Sequence, residues 1–176
     1  MKSILITGSR GFVGRNLIKE FNKKYKIYEL DRNNCDLRSK KKFPIVDVVI
    51  HLAAFNSTKD FYKNPLNVIQ DNFLPTINLL NFYKKQKKKP LFIYTGTPEI
   101  GVGATDIYGY KIPTDEKVPM VIEDIKNPRW SYATSKGLGE QAIVCSGLKY
   151  IIIRPHNIYG PNQKNHFVPE FIQRCK

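Results

Sequence analysis

Cysteine, histidine, methionine and tryptophan are all scarce here, with 3, 3, 2 and 1 among 176 residues. Cys35, Cys145 and Cys175 are odd in number and form no Cys-x-x-Cys pair. That argues against a disulfide framework or a zinc site, so no metal is expected, and it favours a reduced, cytoplasmic compartment. No apolar run approaches a membrane span, and none is expected to meet a membrane. The opening Ile4-Leu5-Ile6 is too short for a signal peptide and runs into a glycine turn. Repeats, low-complexity tracts and linkers are missing too. What remains, 41% apolar and 25% charged residues, is the composition of an ordinary globular domain. A chain of this length buries roughly 70% of its unfolded surface and needs no staple to fold.

Carboxylates are also few: 15 Asp and Glu stand against 29 Lys and Arg, a formal charge of +14. Such a balance raises the question of nucleic acid. The lysine runs Lys40–Lys42 and Lys84–Lys89 fall between predicted elements, without interleaved aromatics to stack bases, and read as solvated loops. Nucleic acid is therefore disfavoured, while an anionic small substrate would be drawn to the same field.

Short apolar runs alternate with helical patterns along the chain. Ser3–Thr7, Lys26–Leu30, Val46–Leu52, Leu91–Thr95 and Tyr150–Arg154 read as strands. Helical stripes lie between them at Phe12–Phe21, Asn67–Lys85, where Pro75 predicts a kink or a late start, and Tyr132–Cys145. The alternation predicts an α/β fold: a Rossmann-type, doubly wound parallel sheet with helices on both faces. From Pro98 to Trp130 the periodicity dissolves, which predicts a long functional loop.

Gly8-Ser9-Arg10-Gly11-Phe12-Val13-Gly14 sits between the first strand and the first helix, the context in which clustered glycines cradle a dinucleotide. Gly8 allows the tight turn, Gly11 the approach of backbone N–H groups to a pyrophosphate, and Gly14 close helix packing. Asp31 follows 23 residues after Gly8, at the end of the second strand, where a carboxylate accepts hydrogen bonds from an adenosine ribose diol. That favours NAD. Arg10 and Arg32 could grip a 2′-phosphate, which keeps NADP as the lesser alternative. Further on, Tyr132 and Lys136 are four apart and share one helix face. A lysine cation there would stabilise a phenolate and make the tyrosine a usable base.

With these motifs the sequence resembles the extended short-chain dehydrogenase/reductases, the NAD-dependent epimerase/dehydratase family that mostly acts on nucleotide sugars. Gly8 to Gly14 resembles its cofactor loop, Asp36-Leu37 its adenine-contacting pair, and His51-Leu52-Ala53-Ala54 the segment lining the cofactor. Asn72 with Asn78-Leu79-Leu80 is similar to its central helix, and Tyr94-Thr95-Gly96-Thr97 to its active-site strand end. Tyr132 to Lys136 matches its catalytic pair, and Arg154 to Pro161 the passage into its substrate domain. The resemblance implies that Tyr132 exchanges a proton with a sugar hydroxyl and that Lys136 holds the nicotinamide ribose. It also implies that Thr97 bonds the substrate and that Asn157 approaches its phosphates.

Three departures bear on the reaction. Pro98 stands where the family's 4,6-dehydratases carry an aspartate, so Glu99 alone gives a dehydratase little support and reads as a solvated loop residue. Thr97 replaces the cysteine of the GDP-fucose synthase group, leaving His166 as a surface histidine. Family members also continue well beyond residue 176, which implies a cofactor domain over 1–160 and the start of a substrate-binding subdomain over 161–176. The expected activity is a nucleotide-sugar epimerase working through transient hydride transfer and a keto intermediate. The alternatives are a silent, truncated NAD-binding module, or a dehydratase or reductase of the same family. An exposed sheet edge is expected to drive self-association, with a homodimer as the expected state.

Overall fold

The computed structural model describes residues 1–39, 41–163 and 167–175. Five strands, β1 (Ser3–Thr7), β2 (Lys26–Leu30), β3 (Val48–His51), β4 (Leu91–Thr95) and β5 (Lys149–Ile153), form one parallel sheet in the order β2-β1-β3-β4-β5. The order reverses at β1, whose two neighbours are β2 and β3, so a crevice opens at the carboxyl ends of β1 and β3.

The strand period of two sorts the apolar side chains to the two faces. Ile4, Ile6 and Ile50 pack with Leu17, Ile18 and Phe21 of α1 (Phe12–Phe21). Leu5, Val49, Phe92 and Tyr94 face the other way, against Leu79, Leu80 and Tyr83 of α3 (Pro65–Tyr83) and Ile143 of α5 (Trp130–Val144). Helices thus cover both faces of a sheet that is buried at its centre. On the edge strand β5, by contrast, Tyr150, Ile151 and Ile153 are exposed.

Two expectations need correction. Helix α3 does not start late: it begins before Asn67, where proline at its first position presets the backbone, and continues through Pro75, which leaves the Asp71 carbonyl without its helical donor. The stretch from Pro98 is not all loop: a 3-10 turn, Pro98–Gly101, leads into α4 (Val102–Tyr108) before the irregular segment 109–129. Its Gly, Ala and Thr residues present no apolar stripe, although Ile100 and Ala104 are buried. The short α2 (Thr58–Lys63) carries too few turns to show a period. Phe167–Arg174 forms α6, while His166 lies outside the described residues.

Candidate active site

Strand β1 ends at Thr7 and the chain turns at Gly8 with φ +69°, a conformation that favours glycine. A β-carbon there would stand 2.9 Å from the Ala53 backbone nitrogen, so the turn after β1 lies directly against the segment after β3. Gly14 permits an equally close approach. Its β-carbon would fall 2.4 Å from the Gly8 carbonyl oxygen, which fixes α1 against the turn. Gly11 is the N-cap of α1; no side chain caps the helix and its first turn holds no acidic residue. The amide donors of that turn are therefore available to an anion, and the cradle fits a dinucleotide pyrophosphate. Phe12 and Val13 are the first residues of that helix.

Asp31 follows β2 directly. Its carboxylate accepts from the Asn33 amide (2.7 Å) and the Ser9 hydroxyl (3.2 Å) and pairs with Arg10 (3.2 Å). Arg32 is held at 2.8 Å by Asp71 and lies over the Phe55 ring. Both arginines that the sequence offers to a 2′-phosphate are thus engaged by carboxylates. Asp36 is bound by Arg38, which also reaches Asp71, and Leu37 is buried in the core. Leu52 and Ala53 are partly buried and Ala54 is exposed, in the segment that leaves β3. Asn72 braces that segment from α3, accepting from the Phe55 amide and donating to the Phe55 carbonyl and the Ser135 hydroxyl.

The second cluster gathers at the ends of β4 and β5. The Gly96 amide donates to the Ile153 carbonyl at 2.7 Å, and Thr97 caps the 3-10 turn by accepting from the Glu99 amide. Tyr132, in the first turn of α5, stacks on the buried Phe61 of α2 with ring centres 5.2 Å apart. Burial, and after it the nearby Glu99 carboxylate, raises the phenol's pKa; a hydrogen bond from Thr97 opposes the rise. Glu99 is itself pushed up by burial, against the pull of Arg129. Glu99 and Arg129 line a cavity of about 190 Å³ with Thr58, Phe61 and Tyr62. Glu99 thus sits half-buried in the 3-10 turn that Thr97 caps, on the wall of a cavity shared with Phe61, the ring that stacks on Tyr132. Phe61 and Glu99 are the residues that sequence reasoning missed, one on an unforeseen helix and one discounted for its prolyl neighbour.

Lys136 lies one turn further along α5 and is almost completely buried, with its Nζ 4.3 Å from the centre of the Tyr94 ring. Burial pushes its pKa down to about 7, with Glu140 opposing. In this arrangement its ammonium meets the Tyr94 face, and the expected stabilisation of Tyr132 is not what sets the phenol's pKa. His51 is fully enclosed, bonded to the Thr7 and Thr76 hydroxyls at 2.6 and 3.0 Å, and burial holds it down to about 3. It is a core residue. Asn157 is exposed in the segment after β5, at the same end of the sheet.

The glycine cradle, the Asp31 carboxylate and the Thr97–Tyr132–Lys136 group occupy one end of one sheet. The family described as NAD dependent epimerase/dehydratase matches residues 4–176. The chain belongs to that family. Among curated proteins it is 32% identical to a putative UDP-glucose 4-epimerase of Methanocaldococcus jannaschii, over 91% of this chain and 57% of that protein. Among solved structures, the NAD dependent NDP-hexosamine 5,6-dehydratase TunA, involved in tunicamycin biosynthesis, matches with a TM-score of 0.75 and 26% identity. That match covers 97% of this chain and 60% of TunA. RMD from Pseudomonas aeruginosa complexed with NADPH matches with a TM-score of 0.71 and 28% identity, over 95% and 58%. This epimerase/dehydratase chain thus spans about 60% of the length of these relatives.

Proposed function

We propose that this chain is the cofactor-binding part of an NAD-dependent nucleotide-sugar epimerase, with residues 1–160 holding the dinucleotide and 161–176 opening the substrate-binding part. One observation carries the reading: Thr97, Tyr132 and Lys136 stand at the end of the sheet where the glycine cradle lies. A bound nicotinamide supplies the acceptor and donor of hydride. Gly8, Gly11 and Gly14 shape the pyrophosphate cradle, and Asp31 takes the adenosine ribose diol. Because a carboxylate at that place accepts from a free diol and repels a 2′-phosphate, NAD is preferred to NADP. Tyr132 exchanges a proton with the sugar hydroxyl, Thr97 bonds that hydroxyl and orients the phenol, and Lys136 holds the nicotinamide ribose. The sugar passes through a ketone and is reduced again from its other face. Asn157 approaches the substrate phosphates. The protein acts in the cytoplasm as a homodimer, in keeping with the apolar side chains Leu66, Ile69 and Leu74 of α3 and Leu138 and Val144 of α5, which are exposed on two helices that pack together.

Glu99 favours a second reading. A carboxyl group with a raised pKa, close to Tyr132, can hold a proton for elimination of water from the keto sugar. The test is product analysis in heavy water with UDP-, GDP-, CDP- and dTDP-sugars. A C4-epimerised product without deuterium at C5 supports the epimerase. A deuterated product lacking one oxygen assigns the dehydratase. No reaction with any sugar, while NAD still binds, leaves the cofactor-binding part of this reading standing and withdraws turnover from this chain by itself.

A further inference from the structure

Because the sheet is parallel throughout, all five strands begin at one end of the molecule, opposite the crevice. Backbone hydrogen bonds stitch four of these starts together, from Lys26 to Lys2, Asp47 to Ser3 and Leu91 to Asp47. The segments that meet there are 1–2, 22–26, 41–47, 84–91 and 145–149. They carry twelve lysines, no arginine and a single carboxylate, Asp47, which is paired with Lys88 at 2.6 Å. All twelve lysines are exposed. Twelve of the chain's 22 lysines thus gather at this one end with no arginine among them, whereas Arg10, Arg32 and Arg154 belong to the crevice end.

We infer that this lysine face is an interaction surface for the anionic phospholipid surface of a membrane, with the crevice turned away from it. Four connecting segments and residues 1–2 build a broad end face, which suits a planar partner. Lysine supplies point charges without the planar fork with which arginine recognises individual phosphates. The aromatic residues of these segments turn inward. Phe43 is buried, and Tyr25 packs edge-on against Phe21 with ring centres 5.6 Å apart. The face therefore offers none of the stacking platforms with which proteins hold single-stranded nucleic acid. It does offer Met1 and Ile45, 83% and 49% exposed among the lysines and able to enter the headgroup boundary. A second copy of the chain would bring the same charge and be repelled. The contact needs no membrane-crossing helix, and the described residues contain none.

The test is co-sedimentation of the full chain with vesicles. At low salt it binds phosphatidylglycerol–phosphatidylcholine vesicles, ignores pure phosphatidylcholine, and is released at about 0.5 M salt, where charges are screened beyond a few ångströms. Replacing three exposed lysines, Lys85→Gln with Lys87→Gln and Lys89→Gln, weakens binding by roughly a hundredfold. The matched set Lys111→Gln, Lys117→Gln and Lys126→Gln, in the 109–129 segment, leaves it unchanged. Absence of binding to anionic vesicles overturns the inference, as does an equal loss in both sets. Tighter binding to a short DNA or RNA strand than to the vesicles, at the same salt, also overturns it.

Discussion

Tyr132 stacks on the Phe61 ring, and its phenol pKa is raised by burial and by the Glu99 carboxylate and lowered by Thr97. Tyr132→Phe keeps the stacked ring and removes the proton, so turnover should fall by about a hundred- to ten-thousandfold while NAD affinity stays the same. Steady-state rates and a cofactor titration check the two halves; equal rates in the Phe variant would remove Tyr132 from the mechanism. His51 supports a different prediction. Its imidazole is enclosed as the neutral form with a pKa of about 3, against an ordinary value of 6.5. On acidification the unfolded chain takes up a proton that the folded chain refuses, so stability is full above about pH 6.5 and is lost as the pH falls toward 3. In His51→Gln, the thermal midpoint should fall less steeply between pH 7 and 4 than in the unaltered chain, whatever its absolute value. A parallel slope would place the acid sensitivity elsewhere.

Among the elements, the turn between β1 and α1 and the junction of α5 with β5 do the positioning. Gly14→Ala would drive a methyl group into backbone oxygens 2.4 and 2.8 Å away, so α1 must lift off the cradle. A stability loss of about 1–3 kcal/mol in denaturant titrations should come with loss of cofactor binding. At the other junction, Glu140 of α5 is buried and paired with Arg154, at 2.6 Å for the shortest contact, and the same guanidinium donates to the Glu116 carbonyl of the 109–129 segment. Arg154→Ala leaves that carboxylate buried without the guanidinium that hydrogen-bonds it and should cost about 3 kcal/mol; removing Glu140 as well should restore part of it. Both elements were only half legible. Glycines between a strand and a helix announce their purpose through spacing, and the fold followed from five apolar runs and three stripes. Arg154 and Glu140 are fourteen residues apart, and nothing in either local pattern marks them as partners. Glu99 was hidden for the same reason: its significance depends on α5 and α2 arriving beside it from elsewhere in the chain.

At the scale of the whole molecule, exposed apolar groups on α3, α5 and the β5 edge predict self-association. Light scattering should give a dimer or larger species, and Leu66→Asp with Ile69→Asp should shift it toward monomer. Purely monomeric behaviour of the unaltered chain at high concentration would contradict the proposed homodimer. The central claim concerns the crevice at the opposite end from the lysine face, where the glycine cradle and Asp31 are read as an NAD site. Calorimetric titration of the chain and of Gly11→Val with NAD and NADP tests it most directly. NAD should bind more tightly than NADP to the unaltered chain, and neither should bind the valine variant, whose side chain would occupy the place of the pyrophosphate. Tighter binding of NADP, or undiminished binding to Gly11→Val, would contradict it.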